Sequence, residues 1–344
     1  MGTESKLAGR HSTFCSLDKV EFDASSRGVR MKALDAARLS QNTGAMPREE
    51  YWGLIRGAIA NASELSGCLA QSGSNLTISE VGLVLNYPID SNASIRFIVD
   101  GSDTRSIGVS VIADGRYERL LQESLLAISR HCSAFADIGA NVGFYSIAVR
   151  RTNPSCEVIA FECNPKVREL FTQNIELNSL DGILLHSEAL SDRHEEVLFY
   201  VPPFTGSSGG SFRDLHPEEG EAQKFNVKTA PLDSFAIDAL DLMKIDVEGA
   251  ELGVILGGMA TIKGSYPTIF IELLRKWMKP FGSSPKHVSD LLKGLGYLVF
   301  EVKEDWILEV DDVSSETAAT NFVFVHETRL NHLDIIRGLV ASGS

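Results

Sequence analysis

Acidic side chains recur in this sequence at points where an apolar run gives way to a polar turn. Four strings have this form: Phe135–Tyr145 (FADIGANVGFY), Ala160–Pro165 (AFECNP), Glu188–Asp192 (EALSD) and Leu242–Glu251 (LMKIDVEGAE). If the apolar runs are parallel strands, their carboxyl ends meet at one edge of a sheet, where ligands bind. Carboxylates gathered there suit a cationic ligand, ribose hydroxyls, or the removal of a proton from an attacking group.

The first string places Asp137 at a strand end and two glycines, Gly139 and Gly143, in the turn before a helix. The glycines allow the backbone to approach a ligand closely. A dinucleotide fingerprint would need glycine at positions 139, 141 and 144, but Asn141 and Phe144 occupy the last two, and no P-loop lysine follows. We therefore expect these five residues to bind S-adenosylmethionine, which carries an ammonium, a sulfonium and a ribose diol but no phosphate.

The next two strings complete the expected cofactor site. Glu162 ends the second strand, and its two oxygens can accept hydrogen bonds from both ribose hydroxyls, with Asn164 in the same turn. Proteins that bind NAD use such an acid too, so Glu162 does not discriminate between the two cofactors. Glu188, Ala189 and Leu190 follow the third strand and are expected along the adenine.

The string Leu242–Glu251 is the most distinctive, because three of its residues near the end of a fourth strand are acids. Charges so placed are costly unless they are solvated, paired or used in chemistry. We interpret Asp246 as the base that accepts the acceptor's proton, with Glu248 as the second candidate. Glu272 lies inside the apolar run of a fifth strand and either pairs with Lys244 or lines the acceptor pocket, and both possibilities stay open.

The elements that must position these residues follow from the spacing of apolar residues. Strands are predicted at 134–138, 157–162, 183–189, 240–247, 267–274, 297–302 and 321–326, and helices at 117–130, 145–151, 166–178, 250–256 and 285–294. Alternating strands and helices predict an α/β protein with the Rossmann-like class I methyltransferase fold and a seven-stranded, mostly parallel sheet. No helical pattern separates the last two strands, which predicts a terminal antiparallel hairpin.

A smaller helical and β-rich region is expected before this domain. The predicted divisions are a polar tail at 1–27, the accessory region at 28–112, the methyltransferase domain at 113–330 and a C-terminal tail at 331–344. Within the accessory region, the pattern predicts an amphipathic helix from Pro47 to Leu69 and short β-runs at Ile95–Val99 and Ile107–Ile112.

Composition narrows the class of protein further. The net charge of −14 disfavours a general nucleic-acid-binding surface, and 44% hydrophobic with 23% charged residues indicates a globular chain. The apolar runs are too short for a membrane span, and the five cysteines form no Cys-x-x-Cys pair or zinc pattern. We expect a soluble, cytoplasmic protein that acts on a small molecule.

Taken in order, the strings resemble the FkbM family of S-adenosylmethionine-dependent methyltransferases, over roughly residues 115 to 302. Asn174–Asn178 (NIELN) adds to the resemblance, and Lys244–Glu251 (KIDVEGAE) is its most specific part. Cys163 is a small departure, because the family commonly shows Glu-Pro-Asn at this place, and it leaves the ribose acid intact. The resemblance implies methylation of a hydroxyl group on a sugar, a glycolipid or a secondary metabolite.

Other functions stay open beside this one. A nicotinamide-dependent oxidoreductase is disfavoured by Asn141 and Phe144, and a non-catalytic binding protein on the same fold by the intact strand-end acids. A divalent metal held by Asp246 and Glu248 would lack an obvious third and fourth ligand. We expect no metal.

A Gly/Ser-rich and then charged insertion at 205–224 is too long for a plain strand connection. We interpret it as a cover over the acceptor site with four polar side chains: Ser207, Ser208, Ser211 and Arg213. His186 is expected to be a core histidine, and His216 is a further candidate on the insertion.

Overall fold

The computed structural model describes residues 72–100, 106–114, 116–203, 206–313, 317 and 319–342, together with positions 53, 65, 69 and 70. The predicted tail at 1–27 and most of the predicted helix from Pro47 to Leu69 lie outside these residues. Across the described part of the chain, no helix combines the length and the apolar character that crossing a membrane requires.

The first described elements form a three-stranded sheet followed by two helices: β1 (Asn75–Ser79), β2 (Gly82–Pro88), β3 (Ser94–Ile98), α1 (Ile107–Asp114) and α2 (Arg119–Ser129). Strand β3 and helix α2 confirm the predictions at those places. The β-run predicted at Ile107–Ile112 is wrong, because this segment forms α1. Ile107 and Val111, one helical turn apart, are both buried, so core packing selects the helical period over the β preference of branched residues.

Eleven further strands follow in chain order: β4 (Ala134–Ile138), β5 (Glu157–Phe161), β6 (Ile183–His186), β7 (Ala189–Leu190), β8 (Glu195–Val201), β9 (Gln223–Ala230), β10 (Leu242–Ile245), β11 (Thr268–Glu272), β12 (Tyr297–Val302), β13 (Ile307–Val310) and β14 (Asn321–His326). The central sheet has the order β13-β12-β14-β11-β10-β4-β5-β6. Strands β6, β5, β4, β10 and β11 run parallel to one another, β14 pairs antiparallel with β11, and β12 pairs antiparallel with β14. The predicted fold is confirmed, with eight strands instead of seven because β13 adds an antiparallel edge.

Seven helices accompany these strands: α3 (Phe144–Thr152), α4 (Pro165–Leu177), α5 (Glu251–Gly257), α6 (Met259–Ser265), α7 (Arg275–Met278), α8 (Pro285–Lys293) and α9 (Leu330–Ser342). The stretch 331–344, expected as a tail, instead contributes most of α9. Leu333 and Ile336 of this helix are buried in the core, which explains why the segment is ordered against the domain.

Both faces of the central sheet are buried, as parallel sheets require. Phe135 and Leu242 belong to a core shared with the N-terminal strands and with helices α2 and α3. Their strand neighbours Ala136 and Met243 point to the opposite face and pack with side chains of α5 and α8. Because both faces of these strands are buried, their sequences are continuous apolar runs.

Two asparagines of the NIELN string join helix α4 to strand β3. The side chain of Asn174 accepts a hydrogen bond from Ile98 N and donates one to Val142 O, at 3.0 Å each. The side chain of Asn178 pairs in the same way with the backbone N–H and C=O of Arg96. Both asparagines are almost fully buried, so these contacts fix the accessory sheet against the loop that follows β4.

The strand predicted at 183–189 is split in the structure. Strand β6 ends at His186, and β7 begins at Ala189 in a second sheet with the order β7-β9-β8. Strands β8 and β9 form an antiparallel hairpin, and the insertion predicted at 205–224 lies at its tip, with its last residues in β9.

Candidate active site

A cleft opens at the carboxyl ends of β4 and β10, where the strand order reverses. Strand β4 has β5 on one side and β10 on the other, which is the topological switch point at which α/β proteins bind ligands. The cleft is open to solvent. Eleven of the predicted site residues line it: Asp137, Gly139, Asn141, Phe144, Glu162, Glu188, Ala189, Leu190, Asp246, Glu248 and Glu272.

Two predicted cofactor residues lie next to the cleft without lining it. Gly143 has a φ of +88°, and a Cβ there would be 2.0 Å from the ring of Phe171, so this glycine serves the packing of α4. Asn164 caps the N-terminus of α4, with its side chain accepting a hydrogen bond from Lys166 N at 3.1 Å.

The loop after β4 brings the backbone close to the tip of β10. Gly139 has a φ of +77°, and a Cβ there would lie 1.9 Å from the carbonyl oxygen of Asp246. Asn141 also has a positive φ, 51°, and its side-chain amide donates to Ser208 Oγ at 3.3 Å. Asn141 Oδ1 is buried and accepts no hydrogen bond from any described residue, so a bound ligand could satisfy it.

Glu162 is buried at the tip of β5, 8% exposed, and its carboxylate is oriented by the backbone. Oε1 accepts a hydrogen bond from Asn164 N at 2.7 Å, and Oε2 accepts one from Asn141 N at 2.9 Å. Burial raises the pKa of this carboxyl to about 7, although the two amides oppose the shift. A carboxylate oxygen can accept more than one hydrogen bond, and Glu162 lines the cleft.

Asp137 is more deeply buried than the sequence suggested. Its side chain is 1% exposed, and Oδ2 accepts hydrogen bonds from Ser146 N at 3.0 Å and from Ser146 Oγ at 2.6 Å. Burial raises the pKa of Asp137, while the charge of Lys244 and the Ser146 hydrogen bonds lower it. The carboxylate therefore holds the first turns of α3.

Lys244 and Asp246 form an ion pair at the tip of β10. The distance between Lys244 Nζ and Asp246 Oδ2 is 2.8 Å, and Nζ also lies 4.9 Å from the centre of the Tyr145 ring. Lys244 is 6% exposed and is the register partner of Asp137 on β4. Burial lowers the pKa of Lys244, but the charges of Asp246, Glu118 and Asp137 raise it by more, so the side chain stays an ammonium.

Glu272 brings a third carboxyl group to the same place. Carboxylate oxygens of Asp246, Glu248 and Glu272 lie within 4.8 Å of one another. Burial, followed by the charges of Asp246 and Glu118, raises the pKa of Glu272 well above its usual range. The structure pairs Lys244 with Asp246, and Glu272 lines the cleft.

The turn after β10 is strained and is held by Glu251. Glu248 has a φ of 53° and Gly249 a φ of 105°, and a Cβ on Gly249 would lie 2.5 Å from Trp277 O. Glu251 is 2% exposed, and its Oε1 accepts a hydrogen bond from Gly249 N at 2.8 Å. Burial raises the pKa of Glu251 to about 7.

Sequence reasoning missed a group of cleft residues from the segment before β4 and from the middle of the chain. Glu118 is the main example: it precedes α2 with φ 40° and ψ 52°, and its Oε2 accepts a hydrogen bond from the Tyr145 hydroxyl at 2.6 Å. Tyr117 and Trp277 also line the cleft. No local spacing in the sequence signals that these residues meet the strand ends.

The insertion at the tip of the β8–β9 hairpin contacts both sides of the cleft. Ser208 bonds to Asn141, and Ser211 Oγ donates to the carbonyl oxygen of Glu248 at 2.7 Å. Arg213 lies elsewhere, with its guanidinium carbon 5.4 Å from the ring centre of Phe281. The side chain of Ser207 lies outside the described residues.

The two histidines considered from the sequence do not line the cleft. His186 stacks on Phe161, with ring centres 5.0 Å apart. His216 is buried, contacts the Trp277 ring edge to face at 5.8 Å, and has Nδ1 3.4 Å from Glu219 Oε1.

The charge of the cleft fits one class of cofactor. Among the described residues that line it there are seven carboxyl groups and one cation, Lys244, which is already paired. A diphosphate would meet repulsion here, whereas an ammonium and a sulfonium would be attracted. Together with the fold and the acceptor left open on Asn141, this charge pattern is that of a methyltransferase of the class I fold.

The Methyltransferase FkbM domain family matches residues 137–299 of the chain. The chain is therefore a methyltransferase, with S-adenosylmethionine as its methyl donor.

Named relatives agree with this assignment. The chain is 25% identical to methyltransferase sdnD of Sordaria araneosa over 49% of its own length and 75% of the relative's. It is 27% identical to Methyltransferase 1 of Beauveria bassiana, over 36% of the chain and 58% of the relative. The 2-O-methyltransferase NoeI of Sinorhizobium fredii is 29% identical over 37% of the chain and 57% of the relative. The match thus spans less than two thirds of the latter two relatives.

Proposed function

We propose that this protein is an O-methyltransferase that transfers a methyl group from S-adenosylmethionine to a hydroxyl of a sugar, a glycolipid or a secondary metabolite. The observation that supports this most is the ion pair of Asp246 with Lys244 at the tip of β10, facing the cleft beside Glu272. A charged carboxylate held in this way is a base for a hydroxyl group. The name of NoeI, a 2-O-methyltransferase, supports an oxygen acceptor.

The residues that would hold the cofactor are those of the β4, β5 and β7 ends. Glu162 would accept hydrogen bonds from the ribose hydroxyls. Ala189 and Leu190 would contact the adenine, and Gly139 and Asn141 would contact the rest of the cofactor. When bound, S-adenosylmethionine supplies an electrophilic methyl group on a positively charged sulfur.

The chain's own chemistry is proton transfer and orientation. Asp246 accepts the proton of the acceptor hydroxyl, and the Lys244 ammonium at 2.8 Å orients its carboxylate. Glu272 shares a side-chain hydrogen bond with Asp246, and this contact raises the pKa of Glu272 and orients the two carboxyl groups. Such a base contributes about 10²- to 10⁴-fold in rate, and the orientation of the two reactants contributes more.

The walls of the cleft support a neutral, hydroxylated acceptor. Tyr117, Phe212 and Trp277 offer aromatic surfaces, and the surrounding carboxyl groups offer hydrogen-bond acceptors. An acceptor with a phosphate backbone would be repelled by the same carboxylates, which supports a small molecule over a nucleic acid. We also propose a cytoplasmic location, because the described cysteines, Cys132, Cys156 and Cys163, are free thiols.

The test is methyl transfer from isotopically labelled S-adenosylmethionine to a panel of sugars, glycolipids and hydroxylated metabolites, each with its deoxy analogue. We expect label in an O-methyl group of a parent compound and none with the matching deoxy analogue. Label on nitrogen or carbon would contradict O-methylation. Oxidation of NADH by the protein, without any label transfer, would favour the oxidoreductase alternative.

A further inference from the structure

We propose that Glu118 binds the α-ammonium of the methionine part of the cofactor. Glu118 lies before residue 137, outside the part of the chain that the FkbM family matches. It lines the cleft from the segment that leads into α2. The inference concerns the cofactor, so it does not depend on which acceptor the enzyme uses.

Asp137 does not have a free carboxylate for this task. One of its oxygens already accepts two hydrogen bonds from Ser146, and the side chain is 1% exposed. The carboxylate that meets a charged ammonium must therefore come from another cleft residue. Asp246 is paired with Lys244, whereas Glu118 lies beside the start of α3, where its carboxylate lines the cleft.

The position of Glu118 places it at the cofactor loop. Its Oε2 accepts a hydrogen bond from the hydroxyl of Tyr145, the second residue of α3, and α3 begins directly after the Gly139–Gly143 loop. No described residue donates a hydrogen bond to the other oxygen, Oε1, and no described lysine or arginine lies within 4 Å of the carboxylate. An ammonium at this place would supply both the donor and the charge.

The backbone at Glu118 is consistent with a functional role. Its φ of 40° and ψ of 52° are left-handed, a conformation that costs a non-glycine residue free energy. The side chain does not cap α2, so a helix cap does not explain this conformation. The conformation directs a carboxylate into the cleft, where burial raises its pKa and the charge of Lys244 lowers it by less.

The test compares two ligands by isothermal titration calorimetry on the full chain. S-adenosylhomocysteine carries the α-ammonium, and 5′-methylthioadenosine has the same nucleoside and sulfur without the amino-acid part. We expect Glu118→Gln to weaken S-adenosylhomocysteine binding about 10- to 100-fold, the range for a hydrogen bond to a charged group, and to leave 5′-methylthioadenosine within about twofold. Unchanged binding of the second ligand also shows that the variant is folded.

Glu162→Gln is the matched control. Because Glu162 is expected to bind the ribose, which both ligands contain, replacing it should weaken the binding of both ligands. A deaminated analogue of S-adenosylhomocysteine gives a further comparison, since its affinity should not respond to Glu118→Gln. The inference is overturned if Glu118→Gln leaves S-adenosylhomocysteine binding unchanged, or if it weakens the two nucleosides equally. Should Glu118→Gln not fold, Glu118→Asp and Glu118→Ala take its place with the same ligands, and the loss must appear in the alanine variant and be smaller in the aspartate variant.

Discussion

Lys244 Nζ lies 2.8 Å from Asp246 Oδ2, with both side chains on the same face of the end of strand β10. Lys244 is almost fully buried and Asp246 is a quarter exposed, so the pair holds its charge at the boundary between core and cleft. Removing one partner of such a pair leaves the other uncompensated, which is costly. In the proton transfer that we propose, Lys244 and Asp246 therefore act as a pair.

Asp246→Asn should lower turnover about 10²- to 10⁴-fold and leave measurable residual activity, because orientation of the reactants survives the change. Binding of S-adenosylhomocysteine should change much less. Lys244→Met is the companion variant and should also reduce turnover, since the charged form of Asp246 loses its partner. The check is initial rates of label transfer with calorimetry of the inhibitor. If Asp246→Asn turned over at the wild-type rate, Asp246 would not be the base.

Binding of S-adenosylhomocysteine should weaken as the pH falls below about 7. The pKa of Glu162 is raised to about 7 in the free protein, and the ionised form is the one that accepts both ribose hydroxyls. Below that pH the carboxyl must first lose a proton, so the dissociation constant should rise toward tenfold per pH unit. Calorimetry from pH 8 to pH 5.5 measures this, and Glu162→Gln should bind more weakly with a flatter profile. A flat profile in the wild type would contradict the assignment.

Gly139→Ala should destabilise the fold by more than about 2 kcal/mol and abolish cofactor binding. The added Cβ would lie 1.9 Å from a backbone oxygen of Asp246, and φ is +77°. Gly264→Ala in helix α6 is the control, because no atom lies within 4 Å of its Cβ, and it should be neutral or stabilising by about 0.5 kcal/mol. Urea unfolding measures both free energies. Equal effects of the two substitutions would show that the Gly139 contact is not tight.

The free energy of unfolding should rise as the pH is lowered from 8 toward 6. Glu251 has a pKa of about 7 in the fold against an ordinary value near 4.5, so between these values the folded state binds more protons than the unfolded state. This stability is fully present below about pH 4.5 and is lost as the pH rises through about 7, by at most about 3 kcal/mol in all for one such acid. Glu251→Gln should flatten the pH dependence, whereas Glu196→Gln on exposed strand β8 should not. Parallel curves for the wild type and Glu251→Gln would contradict this.

Removal of divalent metal with EDTA should leave turnover and the melting temperature unchanged. Asp246, Glu248 and Glu272 are close enough to share a metal ion, but Lys244 already supplies the positive charge at Asp246. Adding Mg²⁺ or Mn²⁺ to the stripped protein, followed by differential scanning fluorimetry, is the measurement. A metal-dependent rise in melting temperature that Glu248→Gln abolishes would point to a metal site instead.

Much of the parallel sheet could be predicted because its strands are buried on both faces. Strands β4 and β5 read as short continuous apolar runs that end in an acid, and the structure places them within one residue of the prediction. Helix α1 was missed because its branched residues favour strands locally, and only the core that buries Ile107 and Val111 selects the helix. The break between β6 and β7 was missed for a similar reason, since pairing with β9 decides it.

In the candidate site too, residues placed by their own strand could be predicted, and residues placed by packing between distant elements could not. Glu162 and Asp246 could be recognised because each follows its own strand in the sequence. Glu118 could not, since its approach to Tyr145 depends on how α2 packs against α3. The burial of Asp137 against Ser146 is likewise a consequence of the first turns of α3, which the strand pattern does not contain.

The structure of the protein bound to S-adenosylhomocysteine is the most direct measurement. We predict that its ribose hydroxyls contact Glu162 and that its sulfur lies beside Asp246, with the amino-acid part directed toward Glu118. An inhibitor bound elsewhere, or bound in the cleft with its sulfur turned away from Asp246, would contradict the site proposed for methyl transfer.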